Sequence, residues 1–514
     1  MRRYLRHFVW MLFGGAVASL PAGAQADVKL PSIISDHMVL QRDMADPIWG
    51  WADQGEQVTV SIAGQSKTAT PDASGRWMVK LDPLKVGDTT TLTVAGKNTI
   101  TIKDVLVGEV WLGSGQSNMA MGVSRAKDFD KEQAAAKYPQ IRMFLVANKA
   151  ASEPQADCEG QWVVCAPDTV GQFSATAYFF GRELHKSLGV PVGLVRSCVG
   201  GTPIESWISA DAQRSSPELK EYIAAQEKTA AEFNVEAAKK NFERQKERWK
   251  EAVKKAKAAG ETPPRAPRDP IATRERKGNT GGLFNGMIAP LIPYAIRGMI
   301  WYQGEANAQP NKAQFYQYQL PLLVKDWRTR WGEGDFPAAW VQLPNFNRAG
   351  DYWSIVREGM LKSLATPHTG MAIAIDVGDP KDIHPANKQA VGARLAMWAL
   401  GDVYGQKVAT SGPLPAGHEV RGREIVVSFS HTDSGLQAKG DALRGFQIAG
   451  ADKVWHAATA QISGDKVIVS SAEVSQPVAV RYAWAPNPDC NLYNGAGLPA
   501  SPFRTDDWSE ETKE

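Results

Sequence analysis

Sequence patterns that hold metals are missing from this 514-residue chain: there is no CxxC, no HExxH and no clustered set of histidine ligands, so neither a catalytic metal nor any other cofactor is expected. Cysteine is scarce, at four residues. Cys158 and Cys165 lie beside Gly160-Gln161-Trp162, and in an oxidising compartment a short-loop disulfide between them is expected. Cys198 and Cys490 are far apart, and the sequence leaves open whether they pair or stay as small buried thiols. No stretch beyond the first 26 residues is long and apolar enough to span a bilayer. The 46 glycines and 31 prolines follow no G-X-Y period, which excludes collagen-like and low-complexity chains.

The first 26 residues carry a basic start (Arg2, Arg3, Arg6), an apolar run over 8–20 and Ala24-Gln25-Ala26 before Asp27. This reads as a secretory signal peptide, since the run is too short and glycine-interrupted for a membrane anchor. Its removal takes three of the 58 Lys and Arg and no acid, leaving 55 against 55 Asp and Glu. A mature chain of zero net charge has no general basic face for nucleic acid or an anionic membrane, and a secreted or periplasmic soluble protein is expected. The sequence names no protein partner.

With 43% hydrophobic and 22% charged residues, the chain is composed like a globular protein and is too long for one ordinary core. Residues 27–104 alternate short β-rich runs with turn signals, as a small β-sandwich-like module does. Over 105–405 the period changes. Strands are predicted at 105–112, 192–198, 296–301, 338–343 and 371–376, and helices at 175–188, 312–331, 354–365 and 387–400, which implies an α/β domain with a parallel sheet. A charged stretch at 211–278 interrupts it. Glu243, Glu247 and Glu251 interleave with lysines there, so a solvated helical insertion is expected rather than a basic binding patch. From 406 to 514 the period returns to two, giving a second β-rich module packed on the α/β domain.

Ligands of parallel sheets bind at the carboxyl ends of the strands, and the chemically capable residues stand there. The first strand ends in Gly113-Ser114-Gly115-Gln116-Ser117-Asn118-Met119, where glycines allow a sharp turn that lifts a serine hydroxyl above the sheet. An inert Gly/Ser turn would look the same. The second loop, Cys198-Val199-Gly200-Gly201-Thr202-Pro203, can point backbone N–H groups at an oxyanion, as could a plain tight turn. The third, Trp301-Tyr302-Gln303-Gly304-Glu305-Ala306-Asn307, crowds two amides and a carboxylate onto one strand end. In the fourth, Asp376-Val377-Gly378-Asp379-Pro380-Lys381-Asp382-Ile383-His384-Pro385, a histidine shares a short loop with acids. A serine after the first strand with a histidine and acid after the last is the set for acyl transfer. The G-x-S-x-G of an α/β-hydrolase is absent.

Gly108-Glu109-Val110-Trp111, Gly115-Gln116-Ser117-Asn118-Met119, Gly200-Gly201-Thr202, Trp301-Tyr302-Gln303-Gly304-Glu305, Asp382-Ile383-His384-Pro385 and Pro499-Ala500-Ser501-Pro502-Phe503-Arg504-Thr505 together resemble the sialate O-acetylesterase family of SGNH-type hydrolases, in order and over almost the whole mature chain. The resemblance implies a flavodoxin-like three-layer α/β/α domain with β-rich accessory modules, acting as a carbohydrate O-acetylesterase. It implies Ser117 as nucleophile and His384 as general base. The position three before His384 is Lys381 rather than the family's usual Asp, so Asp382 is the first choice for the acid, Asp379 the second, and a Ser/His dyad the third. The oxyanion hole is expected from the N–H groups of Ser117 and Gly201 with the Gln303 amide, Asn307 competing with Gln303. Gln116, Glu305, Trp301, Trp207 and Trp353 are expected to face the substrate.

Two other functions fit parts of the chain. A glycosidase could pair Glu109 with Glu305, leaving Ser117 and His384 unused. A non-catalytic carbohydrate-binding protein would use some of the 17 tryptophans. Similar bacterial proteins act on acetylated plant-wall glycans, and only Arg196 and Arg357 lie near the four loops to clamp a sialic-acid carboxylate, so xylan- or xyloglucan-type oligosaccharides are preferred over O-acetyl sialic acid as substrate.

Overall fold

A computed structural model describes residues 27–508 apart from residue 88, and the expected signal peptide lies outside the described residues. Strands β1 (Val39–Gln41), β2 (Pro47–Trp51), β3 (Val58–Ile62), β4 (Gln65–Ala69), β5 (Arg76–Lys80) and β6 (Thr90–Ala95) lead into β7 (Thr99–Gly115), a single strand of 17 residues. Its first half pairs antiparallel with β6 and its second half is the middle of the central sheet, so the divide expected at 104/105 falls inside one strand.

The central sheet continues with β8 (Tyr138–Val146), β9 (Gly160–Cys165), β10 (Val192–Cys198), β11 (Gly298–Tyr302), β12 (Ala338–Val341) and β13 (Thr369–Ala372), in the order β13-β12-β11-β7-β10-β8-β9. All neighbours are parallel except the edge strand β9, so the sheet is mixed. Its strands are apolar on both faces because both are covered. Val110, Leu112, Met299, Trp301, Trp340 and Met371 enter one core, while Trp111, Ile300, Tyr302, Ala339, Val341 and Ala372 enter the other, the two-residue alternation of a pleated strand.

Ten α-helices complete the described chain: α1 (Ser117–Ala120), α2 (Phe129–Ala135), α3 (Ala175–Leu188), α4 (Ala210–Ser215), α5 (Lys220–Ala231), α6 (Val235–Ala258), α7 (Pro270–Lys277), α8 (Tyr316–Trp331), α9 (Tyr352–Lys362) and α10 (Lys388–Trp398). Helices α3 and α10 cover one face of the sheet, and α8, α9 and the N-terminal strands the other. Helix α3 starts where the Ser174 hydroxyl accepts the Ala177 N–H and stops at Gly189 in the left-handed region. The 24-residue α6 buries only Ala256 and carries Glu–Lys pairs at i,i+3 (236/239, 243/246, 247/250), as the interleaved charges imply.

The C-terminal strands form two four-stranded sheets and one two-stranded ladder (Leu436–Ala438 with Leu492–Asn494) around their own core. They reach the α/β domain through Arg504, whose guanidinium meets Glu358 at 3.0 Å, and through Gln342 Nε2, which donates to Ser501 Oγ at 2.9 Å.

One covalent expectation fails. Cys158, Cys165, Cys198 and Cys490 are all free thiols. Along the extended β9, Gly160 alone is about 17 Å from Cys165, whereas a disulfide needs Cα atoms within about 7 Å. Cys158 and Cys165 also sit in different cores.

Candidate active site

The four loops meet at the carboxyl edge of β7, β10 and β11. Gly115 closes β7 with φ +135°, and a Cβ there would stand 2.2 Å from the Tyr302 carbonyl, so only glycine lets β7 and β11 end side by side. Gln116 N–H then donates to Tyr302 O and Val199 N–H to Gly115 O, which fixes the ends of β7, β10 and β11 against one another. Ser117 opens α1 and is partly exposed among buried neighbours. Gly200 lies against it, since a Cβ on Gly200 would be 3.3 Å from Ser117 Cβ. Ser114, one pleat earlier, is fully buried within β7 and out of reach of any substrate.

His384 is brought to Ser117's neighbour by hydrogen bonds to the backbone on either side of it. Asn118 Nδ2 donates to Ile383 O at 3.0 Å, and Lys388 Nζ donates to both Asn118 Oδ1 (2.8 Å) and Pro385 O (2.7 Å). Burial lowers the His384 pKa, Asp382 opposes that, and Arg125 and Lys388 reinforce it. Asp382 Oδ1 accepts the His384 backbone N–H at 2.9 Å and stands 3.7 Å from Nδ1, close enough for charge attraction and too far for a hydrogen bond. Asp379 serves the turn instead, accepting the N–H groups of Lys381 and Asp382. The loop's far side is fixed through Asn345, which accepts Gly378 N–H and donates to Asn487 of the C-terminal module.

Both side-chain candidates for the oxyanion hole turn out to be committed elsewhere. Gln303 is fully buried; its Nε2 donates to Asn307 Oδ1 (2.7 Å), Thr202 O (3.1 Å) and Gln116 Oε1 (3.4 Å), and its Oε1 accepts Tyr316 OH. Asn307 Nδ2 donates to Glu205 Oε2 at 2.9 Å, and its oxygen accepts Ile204 N–H. These amides join loops two and three. The N–H groups of Ser117 and Gly201 have no acceptor among the described residues. Gln116 points its Oε1 at Ala306 N–H and Gln303, which leaves its Nε2 as an unengaged donor beside Ser117.

The tryptophans also depart from expectation. Trp207 and Trp301 are fully buried and stack edge-to-face with each other, Trp301 with Trp327 too; Trp353 is buried and donates to Pro344 O. They are core residues and present no face to a sugar. Arg357 is equally buried, with its guanidinium on the carbonyls of Leu343, Pro344, Ala485 and Pro486, and Arg196 turns Nη2 to Ala120 O. Glu305 is buried, with Oε1 accepting Asn118 Nδ2 at 2.5 Å, and desolvation raises its pKa.

Glu109 cannot act with Glu305. It lies six residues before Gly115, about 20 Å away at the strand rise, whereas paired glycosidase carboxylates stand about 5–10 Å apart. Its carboxylate accepts from Arg42, Arg297, Gln41 and Tyr404 at the opposite end of the sheet.

Three contributors were not singled out by sequence: Asn118, Lys388 and Glu205, which gathers Asn307, Lys312 and Tyr222 beneath loop two. Lys388 alone left a signal, a cation at a helix N-terminus, where the dipole disfavours it.

Comparison with known proteins gives the family. The family described as "Carbohydrate esterase, sialic acid-specific acetylesterase" matches residues 107–265 and 279–400. The chain is 31% identical to the sialate O-acetylesterase of Rattus norvegicus, covering 95% of this chain and 96% of that one, and 29% identical to the Homo sapiens protein over 92% of each. It is 38% identical to a carbohydrate acetylesterase of known structure from Xanthomonas citri, with a TM-score of 0.80 over 94% of this chain and 100% of that one. Matched over residues 107–265 and 279–400 and, by its relatives, along nearly its full length, the chain belongs to the sialic acid-specific acetylesterase family of carbohydrate esterases, a family of carboxylic ester hydrolases.

Proposed function

We propose that the protein is an SGNH-type serine esterase that hydrolyses O-acetyl esters on carbohydrates. The observation that carries this reading is the convergence of Ser117, the Gly200-Gly201 turn and the His384 loop at one sheet edge. Ser117 Oγ attacks the acetyl carbonyl while His384 takes its proton, and Asp382 stabilises the imidazolium through space. The oxyanion is received by the N–H groups of Ser117 and Gly201, with Gln116 Nε2 in the part expected of Gln303. His384 returns the proton to the departing sugar hydroxyl, and water releases acetate from the acetyl-serine. Ser117→Ala should abolish acetate release and fluorophosphonate labelling with unchanged circular dichroism; retained turnover refutes the reading.

For the substrate we propose neutral acetylated hemicellulose oligosaccharides of the xylan or xyloglucan kind. The commitment of Arg357 to four backbone carbonyls supports this, since it is not free to clamp a carboxylate, whereas Arg196 makes a single long hydrogen bond, Nη2 to Ala120 O at 3.4 Å. A second reading, O-acetyl sialic acid, is favoured by Arg276: it is exposed on α7, donates to Gly200 O at 2.6 Å, and lies in the stretch between the two family-matched segments. The kcat/KM values on the two substrate classes decide. A preference for the sialic acid that Arg276→Ala abolishes selects the second reading.

We further infer export, with cleavage near Ala26, from the basic start and apolar run of residues 1–26. N-terminal sequencing of the exported protein tests it.

A further inference from the structure

Lys388 is the first residue of α10, where unpaired N–H groups create a positive end that disfavours a cation, and it is fully buried. Burial pushes its pKa down to about 7 against the pull of Glu305. Its contacts offset that cost. Nζ donates to Asn118 Oδ1 and Pro385 O and lies 5.5 Å from the centre of the Tyr302 ring. Asn118 in turn donates to Ile383 O and Glu305 Oε1. The two carbonyls that flank His384 are therefore both held by one pair of side chains, and that pair is rooted in the residue after Ser117. The other Glu305 oxygen is buried with no hydrogen-bond partner, and the charge of this carboxylate acts on Lys388 against the lowering of its pKa by burial.

Resting on the Ser117/His384 reading, we propose that Lys388 is a positioning residue: with Asn118 it holds the His384 loop in register with the helix that carries Ser117, and Glu305 supplies its counter-charge. It touches neither substrate nor the reacting atoms. Its role is to fix a distance between two groups that come from opposite ends of the domain's sequence.

The test is Lys388→Met in the full-length protein, with 4-nitrophenyl acetate as probe. Releasing the loop by on the order of 1 Å should lower kcat about a hundredfold and leave KM within about threefold. A second readout separates positioning from packing. The charged groups facing His384 are Asp382, Arg125 from the single 3-10 turn Val123–Arg125 between α1 and α2, and Lys388, so loss of the lysine cation raises the imidazole pKa and moves the acid limb of kcat/KM to higher pH. Lys388→Arg, which restores a cation and its donors, should recover part of kcat and return the limb toward its original position. A variant that only melts earlier, with kcat of the folded fraction within about threefold of wild type and an unmoved limb, overturns the proposal. Should Lys388→Met not fold, Lys388→Gln, which keeps an N–H donor, is held to the same limits. Ser117→Ala run alongside separates the two claims: turnover retained there refutes the serine-esterase reading itself, whereas an essential Ser117 with a dispensable Lys388 removes only the positioning role.

Discussion

Replacing Asp382 by Asn removes one negative charge beside His384 and keeps an oxygen to accept the His384 backbone N–H, now bonded at 2.9 Å. The carboxylate stands 3.7 Å from Nδ1. At that distance two unit charges attract by about 1 kcal/mol in water and about 4.5 kcal/mol at an effective dielectric of 20. The Asp382 side chain is 55% exposed and that of His384 27%, so solvent screening places the pair near the lower figure. In the proposed mechanism that attraction favours the imidazolium formed when His384 takes the serine proton, and about 1 kcal/mol corresponds to roughly a fivefold loss of kcat in D382N. An acid buried and bonded directly to the imidazole would instead give a loss of several powers of ten when removed. The pH profile gives an independent sign. Asp382 raises the His384 pKa against burial, so its removal lowers that pKa and moves the acid limb of kcat/KM to lower pH, opposite to the shift expected for Lys388→Met. Acetate release measured across about pH 4 to 9 reads both effects. A loss of about a thousandfold or more would refute the reasoning, because it would require the carboxylate to close directly onto Nδ1 in the reacting complex.

Three further outcomes are expected. Glu109→Gln strips the counter-charge from the partly buried Arg42 and Arg297, so urea unfolding should show a loss of about 3–5 kcal/mol while turnover per folded molecule is kept; lost turnover at unchanged stability would restore a catalytic Glu109. Gly115→Ala must force β7 away from Tyr302 O and hold an alanine at positive φ, costing about 2–5 kcal/mol and most of the activity; a fully stable, active variant would remove the close-approach argument. Burial raises Glu333 from 4.5 to about 8. A carboxyl whose folded pKa is raised weakens the fold as pH climbs from the unfolded value toward the folded one, so the Tm gain of Glu333→Gln should be larger at pH 8 than at pH 5; a pH-independent difference would contradict it.

Periodicity and glycine placement made the strand ends readable in sequence, because a buried parallel strand is a run of apolar residues and a loop that must turn at its end announces itself. β10 appears over the predicted residues, and α3 over its predicted span. The tryptophans misled for the same reason that they are useful: a ring in a strand-end motif looks alike whether it faces solvent or, as with Trp301, packs between Trp207 and Trp327. Gln303 and Asn307 had the right chemistry for an oxyanion donor. Their hydrogen bonds to Thr202 O and Glu205 are contacts across about a hundred residues of chain, on which local pattern carries no information. The cysteine pair failed because spacing along the chain says nothing about distance once the intervening residues are extended. Lys388 is the sharpest case, since its partner Asn118 lies 270 residues away.

The long strand β7 bears on how the chain can be cut. Leu106, Val107 and Gly108 are paired with β1, and Val105 with the start of β6, so a chain beginning at residue 105 would bare the edge of residues 105–108 in the strand that ends at Gly115, two residues before Ser117. Arg42, from the N-terminal module, would leave Glu109 at the same stroke. The module thus shares one strand with the α/β domain instead of hanging from it, and its exchange or removal is expected to disturb that strand. Calorimetry of the intact protein should record residues 27–115 melting within the transition that extinguishes esterase activity, with no earlier endotherm of an independently folding domain.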